Sequence, residues 1–186
     1  MTAQTMTAQA MRIEDDLLAV RCQLGEPAAF DELIGRWHDP LWKYARRLTG
    51  DDEAANEAVQ DAWLRVLRSI TKLRDPSKLR AWIFSIARRV VMDRFRERYA
   101  EPAMVPIDDT EIAFEEPQSD DLDMLEKELE ALPLLEREVL VLFYLRELSL
   151  NELADVLAVP LGTIKSRLFR ARHSLRRQLE SKGVQA

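Results

Sequence analysis

Cysteine occurs once in the 186 residues, at Cys22, so neither a disulfide framework nor a cysteine-rich zinc site organises this chain. Five glycines and eight prolines are too few for a turn-dense all-β fold and point to helices. The longest uninterrupted apolar run, Val139 to Leu145, falls far short of the roughly 18 residues a transmembrane helix needs. No basic stretch followed by an apolar one opens the chain, and no secretory signal is visible. A Gly-rich phosphate loop, a carboxylate metal cluster and a nucleophile–base arrangement are all missing, which removes the footing for an enzyme. The two histidines, His38 and His173, stand alone and read as a turn residue and a helix-surface residue. Cys22 reads as a partly buried helix residue. No metal, cofactor or small-molecule substrate is expected, and the chain reads as a cytoplasmic protein.

What the chain does have is charge, unevenly placed. It is globular in composition, with 47% hydrophobic residues, and 27 basic against 33 acidic side chains give a net −6. Residues 1–99 carry net +2 and residues 125–186 net +1, whereas 100–124 hold nine acids and no base. That stretch also contains Pro102, Pro106 and Pro117. It has too little apolar surface to order itself and reads as a flexible acidic linker, placed at 100–122. Two segments are strongly basic: Arg74 to Arg98 with net +5, and Pro160 to Lys182 with net +6. One lies on each side of the linker, which favours a polyanion contacted twice over a merely solvated face.

Apolar residues recur at helical spacing from Ile13 onward: Leu17, Val20, Cys22 and Leu24, then Phe30, Leu33, Ile34 and Trp37, then Leu41, Trp42, Ala45 and Leu48. Gly25-Glu26-Pro27, His38-Asp39-Pro40 and Gly50-Asp51-Asp52 read as turns or helix boundaries between these runs. Further helices are predicted near 53–70 and 78–98, and past the linker near 122–131, 134–145, 150–157 and 161–181. Residues 1–11 show no apolar periodicity and read as a disordered tail. The fold class is therefore all-α: two small helical domains, 12–99 and 123–182, joined by the linker, the second a four-helix domain.

Ser149 and Glu152 have the spacing of a capping box at the head of the 150–157 helix. The break Ala158-Val159-Pro160-Leu161 and then a basic helix complete a helix-turn-helix pattern. On the helical wheel Ile164, Leu168, Ala171 and Leu175 share a core face. Ser166, Phe169, Arg170, His173 and Arg177 fall opposite, with Lys165, Arg167, Arg172 and Arg176 on the flanks. An aromatic at the centre of a solvent face suits a major groove. There Phe169 can touch a thymine methyl while Arg170 bonds a guanine edge and the flanking cations hold phosphates.

In the first domain Ser85, Arg89, Met92 and Arg96 gather on the polar side of the 78–98 helix, beside the loop holding Asp75-Pro76-Ser77. Cations next to a loop and aromatics suit single-stranded DNA, although Trp82 reads as core rather than as a base platform. Glu57, Gln60, Asp61 and Leu64 share one face of the preceding helix, which reads equally as a solvated side or as a docking surface.

Several runs stand in a familiar order: Glu57-Ala58-Val59-Gln60-Asp61-Ala62-Trp63, Arg80-Ala81-Trp82-Ile83-Phe84-Ser85-Ile86-Ala87-Arg88 and Asp93-Arg94-Phe95-Arg96 before the linker. After it come Leu132-Pro133-Leu134-Leu135-Glu136-Arg137-Glu138-Val139, Leu148-Ser149 and Gly162-Thr163-Ile164-Lys165-Ser166-Arg167-Leu168-Phe169-Arg170-Ala171-Arg172. With these motifs the chain resembles the extracytoplasmic-function sigma factors of bacterial RNA polymerase, the minimal two-domain members of the sigma-70 family. The resemblance covers roughly Ile13 to Leu179.

The resemblance implies that Glu57, Gln60, Asp61 and Leu64 dock on the clamp helices of the polymerase beta-prime subunit. It implies that Leu73, Arg74, Ser85, Arg89 and Arg96 engage the melted −10 promoter element, a flipped base being captured near the Leu73–Leu79 loop and Ser85. The family commonly has Asn after Ile-Ala-Arg, where this chain has Arg89. Lys165, Ser166, Arg167, Phe169, Arg170 and His173 would read the −35 element as duplex, in a domain that also touches the beta flap. The linker would run through the polymerase near the active site, its charge mimicking RNA. An anti-sigma factor is the implied controlling partner, and a membrane-anchored one would hold the chain at the inner membrane. The competing reading, a helix-turn-helix regulator that acts without polymerase, needs a receiver domain with a strand-end phosphoacceptor Asp, and no strand is credible here.

Overall fold

The breaks between helices follow from local chemistry. In the computed structural model, which describes the backbone over 3–100 and 127–182 and side chains over 13–97 and 127–182, the first domain holds α1 (Ala3–Gln23), α2 (Pro27–Thr49), α3 (Asp52–Ser69) and α4 (Leu79–Ala100). Pro27 opens α2, where its missing N–H is no loss. Gly50 closes it at φ 71°, and its N–H bonds Arg46 O. Asp51 caps α3 by accepting from the Ala54 amide at 2.7 Å. Two short 3₁₀ turns, Ile70–Lys72 and Pro76–Lys78, lead into α4.

Three sequence expectations are corrected. His38-Asp39-Pro40 is no boundary, because α2 runs straight through Pro40. Pro40 forfeits one helical hydrogen bond, but the continuous buried stripe of Leu33, Trp37, Leu41, Tyr44, Ala45 and Leu48 keeps the helix in one piece. Helix α1 begins at Ala3, inside the stretch read as a tail. Its core face is Leu18, Ala19 and Cys22; of the residues that give the apolar pattern only Cys22 is buried, and Ile13, Leu17, Val20 and Leu24 are exposed. Cys22 is fully rather than partly buried, and that burial pushes its thiol above the ordinary range.

The acidic linker lies outside the described residues. Past it, helical residues 127–130 precede α5 (Leu134–Leu140), which widens into a π-turn at Val141–Leu145. Helix α6 (Leu150–Leu157) carries the predicted capping box: the Glu152 amide donates to Ser149 Oγ at 3.2 Å, and the Ser149 amide to Glu152 Oε2 at 2.7 Å. The turn is made at Ala158, in the left-handed region with φ 53°, before α7 (Leu161–Ser181). No described residue lies in a strand.

The two domains touch. Helix α6 packs along α4, and α5 approaches α2. The Tyr44 hydroxyl, under the edge of Phe84 at 5.5 Å between rings, donates to Glu138 Oε1 at 2.9 Å. Arg88 Nε donates to the same oxygen at 2.9 Å. Glu138 is wholly buried and its second oxygen has no hydrogen-bond partner. Desolvation raises its carboxyl above the ordinary glutamate range, against the pull of Arg88, Tyr44 and Arg167.

Candidate nucleic-acid interface

Helix α7 is built to present one face. Ile164, Leu168 and Ala171 are buried and Leu175 packs against the core, as the wheel requires. That leaves Lys165, Ser166, Phe169, Arg170 and His173 exposed together. Phe169 is 73% exposed, so nothing in the fold accounts for an aromatic there. Arg167 departs from this group: it is half-buried and acts electrostatically on Glu138, on the side turned toward the first domain. Arg172 leans away over the rings of Phe143 and Tyr144, at 5.5 and 5.3 Å.

A second candidate surface lies where the 3₁₀ turns meet α4. Leu73, Arg74 and Ser85 line one cavity of about 220 Å³ with Asp75, Lys78, Ala81 and Trp82. Asp75 caps the Pro76–Lys78 turn: its carboxylate accepts from the amide and hydroxyl of Ser77 at 3.1 and 2.7 Å and is held below its ordinary range by them. The Ser85 hydroxyl donates to Trp82 O at 2.7 Å. Trp82, read from sequence as core, packs on the core while also walling the cavity. Arg89 and Arg96 do not line it: Arg89 is exposed, and Arg96 is bonded to Asp93 at 2.9 Å. One lining residue comes from the other domain. Asp155, on α6, accepts from Lys78 Nζ at 3.0 Å at the cavity rim.

Glu57, Gln60, Asp61 and Leu64 do share an outer face of α3, with Leu67 beside them. No local pattern signals that Arg94 of α4 clasps two of them, bonding Glu57 and, at 2.6 Å, Asp61. Sequence reasoning also missed Glu138. Its signal was present, since Val141 and Leu142 at i+3 and i+4 put it on an apolar helix face. A larger cavity of about 620 Å³ between the domains, walled by Trp37, Arg80 and Arg146, is lined by Ser77 and Leu79 of the predicted loop but by none of the individually predicted site residues.

Comparison with known proteins agrees with this arrangement. Residues 33–100 match the Sigma-70 region 2 family and residues 129–177 match Sigma-70 region 4. ECF RNA polymerase sigma factor SigM of Mycobacterium tuberculosis is 32% identical over 169 residues, 90% of this chain and 85% of that protein. ECF RNA polymerase sigma factor SigW of Bacillus subtilis is 27% identical over 174 residues, 83% of this chain and 91% of that protein. Among solved structures, CnrH in complex with the cytosolic domain of CnrY matches with a TM-score of 0.69 at 26% identity, over 90% of this chain and 97% of that one. The sigma factor RpoE of Bartonella quintana, in complex with the anti-sigma factor NepR, matches with 0.71 at 28% identity, over 81% and 96%.

Proposed function

The chain belongs to the extracytoplasmic-function (ECF) RNA polymerase sigma factors, and from that premise we propose that it joins core polymerase and directs initiation by reading two promoter elements with its two basic helices. The observation that carries the reading is the α7 face: Phe169, nearly three-quarters exposed, amid Lys165, Ser166, Arg170 and His173 on a helix locked down by Ile164, Leu168 and Ala171. Arg170 bonds a base edge of the −35 duplex, Phe169 packs on a thymine methyl, and Lys165 holds a phosphate. Arg167 contributes charge rather than a base contact.

The cavity of Leu73, Arg74, Trp82 and Ser85 takes the flipped base of the −10 element, with a polar hydroxyl and a flat indole wall suited to an unstacked ring. Arg89 and Arg96, outside that cavity, track the strand's phosphates. The face with Glu57, Gln60, Asp61 and Leu64 docks on the polymerase clamp helices, and the second domain on the beta flap. Control by an anti-sigma factor is supported by the complex in which RpoE was solved with the anti-sigma factor NepR; a membrane-anchored regulator would keep the chain at the inner membrane. The function is non-enzymatic, and the acidic stretch 100–124 acts as an electrostatic mimic of RNA inside the polymerase.

Run-off transcription tests this. Core polymerase with this chain, given a pool of randomised promoters, initiates only on templates sharing two spaced elements. Initiation without any shared element, or failure to co-purify with core polymerase, overturns the reading.

A further inference from the structure

Helix α1 carries apolar residues on two opposite sides. Leu18, Ala19 and Cys22 are buried against the first domain. On the other side Ile13, Leu17, Val20 and Leu24 are 62%, 59%, 39% and 75% exposed, although a surface helix needs only one apolar stripe. Leu24 carries the row past the helix end, since its amide still bonds Val20 O at 3.0 Å. Steps of four, three and four residues repeat every 3.5 residues or so, which is the spacing of a coiled-coil seam. We propose that this row is a self-association surface on which the α1 helix of a second copy of the chain packs antiparallel.

Two observations point to a second copy in that orientation. The first is how the row pairs with itself. Set antiparallel, Ile13 meets Leu24 of the second copy and Leu17 meets its Val20, and the two-fold axis repeats both layers. Every layer then joins a leucine to a β-branched residue. In parallel register the leucines would fall at a and the β-branched residues at d, the order that shifts coiled coils toward more than two strands. The second observation is charge. Glu14 and Arg21 border the row on the same flank, and the antiparallel pairing sets Glu14 of each copy against Arg21 of the other. Arg21 bonds Glu26 through Nε and Glu32 through Nη1, which leaves Nη2 for a further carboxylate. The patch is small against the roughly 1,200 Å² that a stable interface buries, so the dimer is weak and reversible. None of these residues belongs to the faces assigned above to polymerase or promoter, and the proposal does not depend on those assignments.

Sedimentation velocity on the full chain, from about 5 to about 500 μM, tests this. Wild type should pass from monomer to dimer across that range. Leu17→Glu, a change at an exposed position, should stay monomeric throughout while keeping the wild-type melting temperature and an unreactive Cys22 thiol, which is 1% exposed. Glu14→Arg and Arg21→Glu should each weaken self-association about tenfold, because like charges then face each other across the flank. Mixed in equal amounts, the two variants should form a heterodimer within about threefold of the wild-type affinity, since each copy then meets an opposite charge. A wild type that is monomeric at every concentration, leaving the row to some other partner, overturns the proposal. So does a dimer that Leu17→Glu leaves intact. Charge variants that associate no better mixed than alone overturn the antiparallel pairing.

Discussion

Helices α4 and α7 are both basic and nearly equal in length, 22 and 21 residues, yet they spend their cations differently. On α7, Lys165, Arg170 and His173 point outward from a single core stripe. On α4, Arg88 bonds Glu138, Arg94 clasps Glu57 and Asp61, and Arg96 bonds Asp93, which also accepts from Arg65 at 3.2 Å. A helix at the edge of its domain keeps one free face, and its wheel is a map of its chemistry. A helix packed by α2, α3 and α6 has neighbours on several sides, and charge composition alone does not separate its ligand-facing cations from its structural ones.

The largest expected effect breaks the α4 side of this comparison. Glu138→Ala strips Tyr44 of its acceptor and Arg88 of its counter-charge, and should cost about 3–5 kcal/mol in a denaturant melt. A change below about 1 kcal/mol would mean that the domain contact does not hold in solution. The same carboxyl gives a pH signature. Its folded-state pKa is raised by burial, so its contribution is most favourable below the ordinary glutamate range and is lost as pH rises through the folded value. Wild type measured against Glu138→Gln across the acid range should lose relative stability as pH climbs.

Next in size is the α7 side. Arg170→Ala should leave the melting curve unchanged and cost about 1–3 kcal/mol in −35 duplex affinity, relaxing preference at one base pair. Lys165→Ala should weaken all duplexes alike and lower the salt slope by about one unit. Equal weakening of every single-base variant by Arg170→Ala would make it a phosphate contact and dissolve the contrast with α4. Smaller again, about 1 kcal/mol, is a gain: Ala158 sits at φ 53° in the turn of the helix-turn-helix, and Ala158→Gly should relieve that strain and raise the melting temperature. The smallest effect on folding is at Arg94. Its ion pairs are substantially exposed, so Arg94→Ala should move stability by less than about 1 kcal/mol. It should nevertheless alter core-polymerase pull-down, because it releases Glu57 and Asp61; no change there would detach that face from docking.

Much of the second domain was legible in advance. The helices predicted near 134–145, 150–157 and 161–181 match the observed stretches, the 134–145 one with a π-turn in its second half, because capping residues and an apolar stripe are local signals. The first domain was less so. His38-Asp39-Pro40 reads locally as a turn or helix boundary, since local propensity cannot register the buried stripe that carries α2 through it. The exposed Ile13, Leu17, Val20 and Leu24 imitate a core face, and nothing in their spacing distinguishes that from the true face of Leu18, Ala19 and Cys22.

The all-helical class, the two basic helices and the direction of the α7 face are encoded locally, since each follows from the 100° step between neighbouring residues and from caps within a few positions. Packing alone settles which of the α4 arginines are tied up, that Glu138 is buried against Tyr44 and Arg88 of the first domain, and that Asp155 bonds Lys78 across 77 positions of chain. Those are meetings between groups far apart in sequence, set by how apolar faces pack, and no local pattern encodes which charges that packing will bring together.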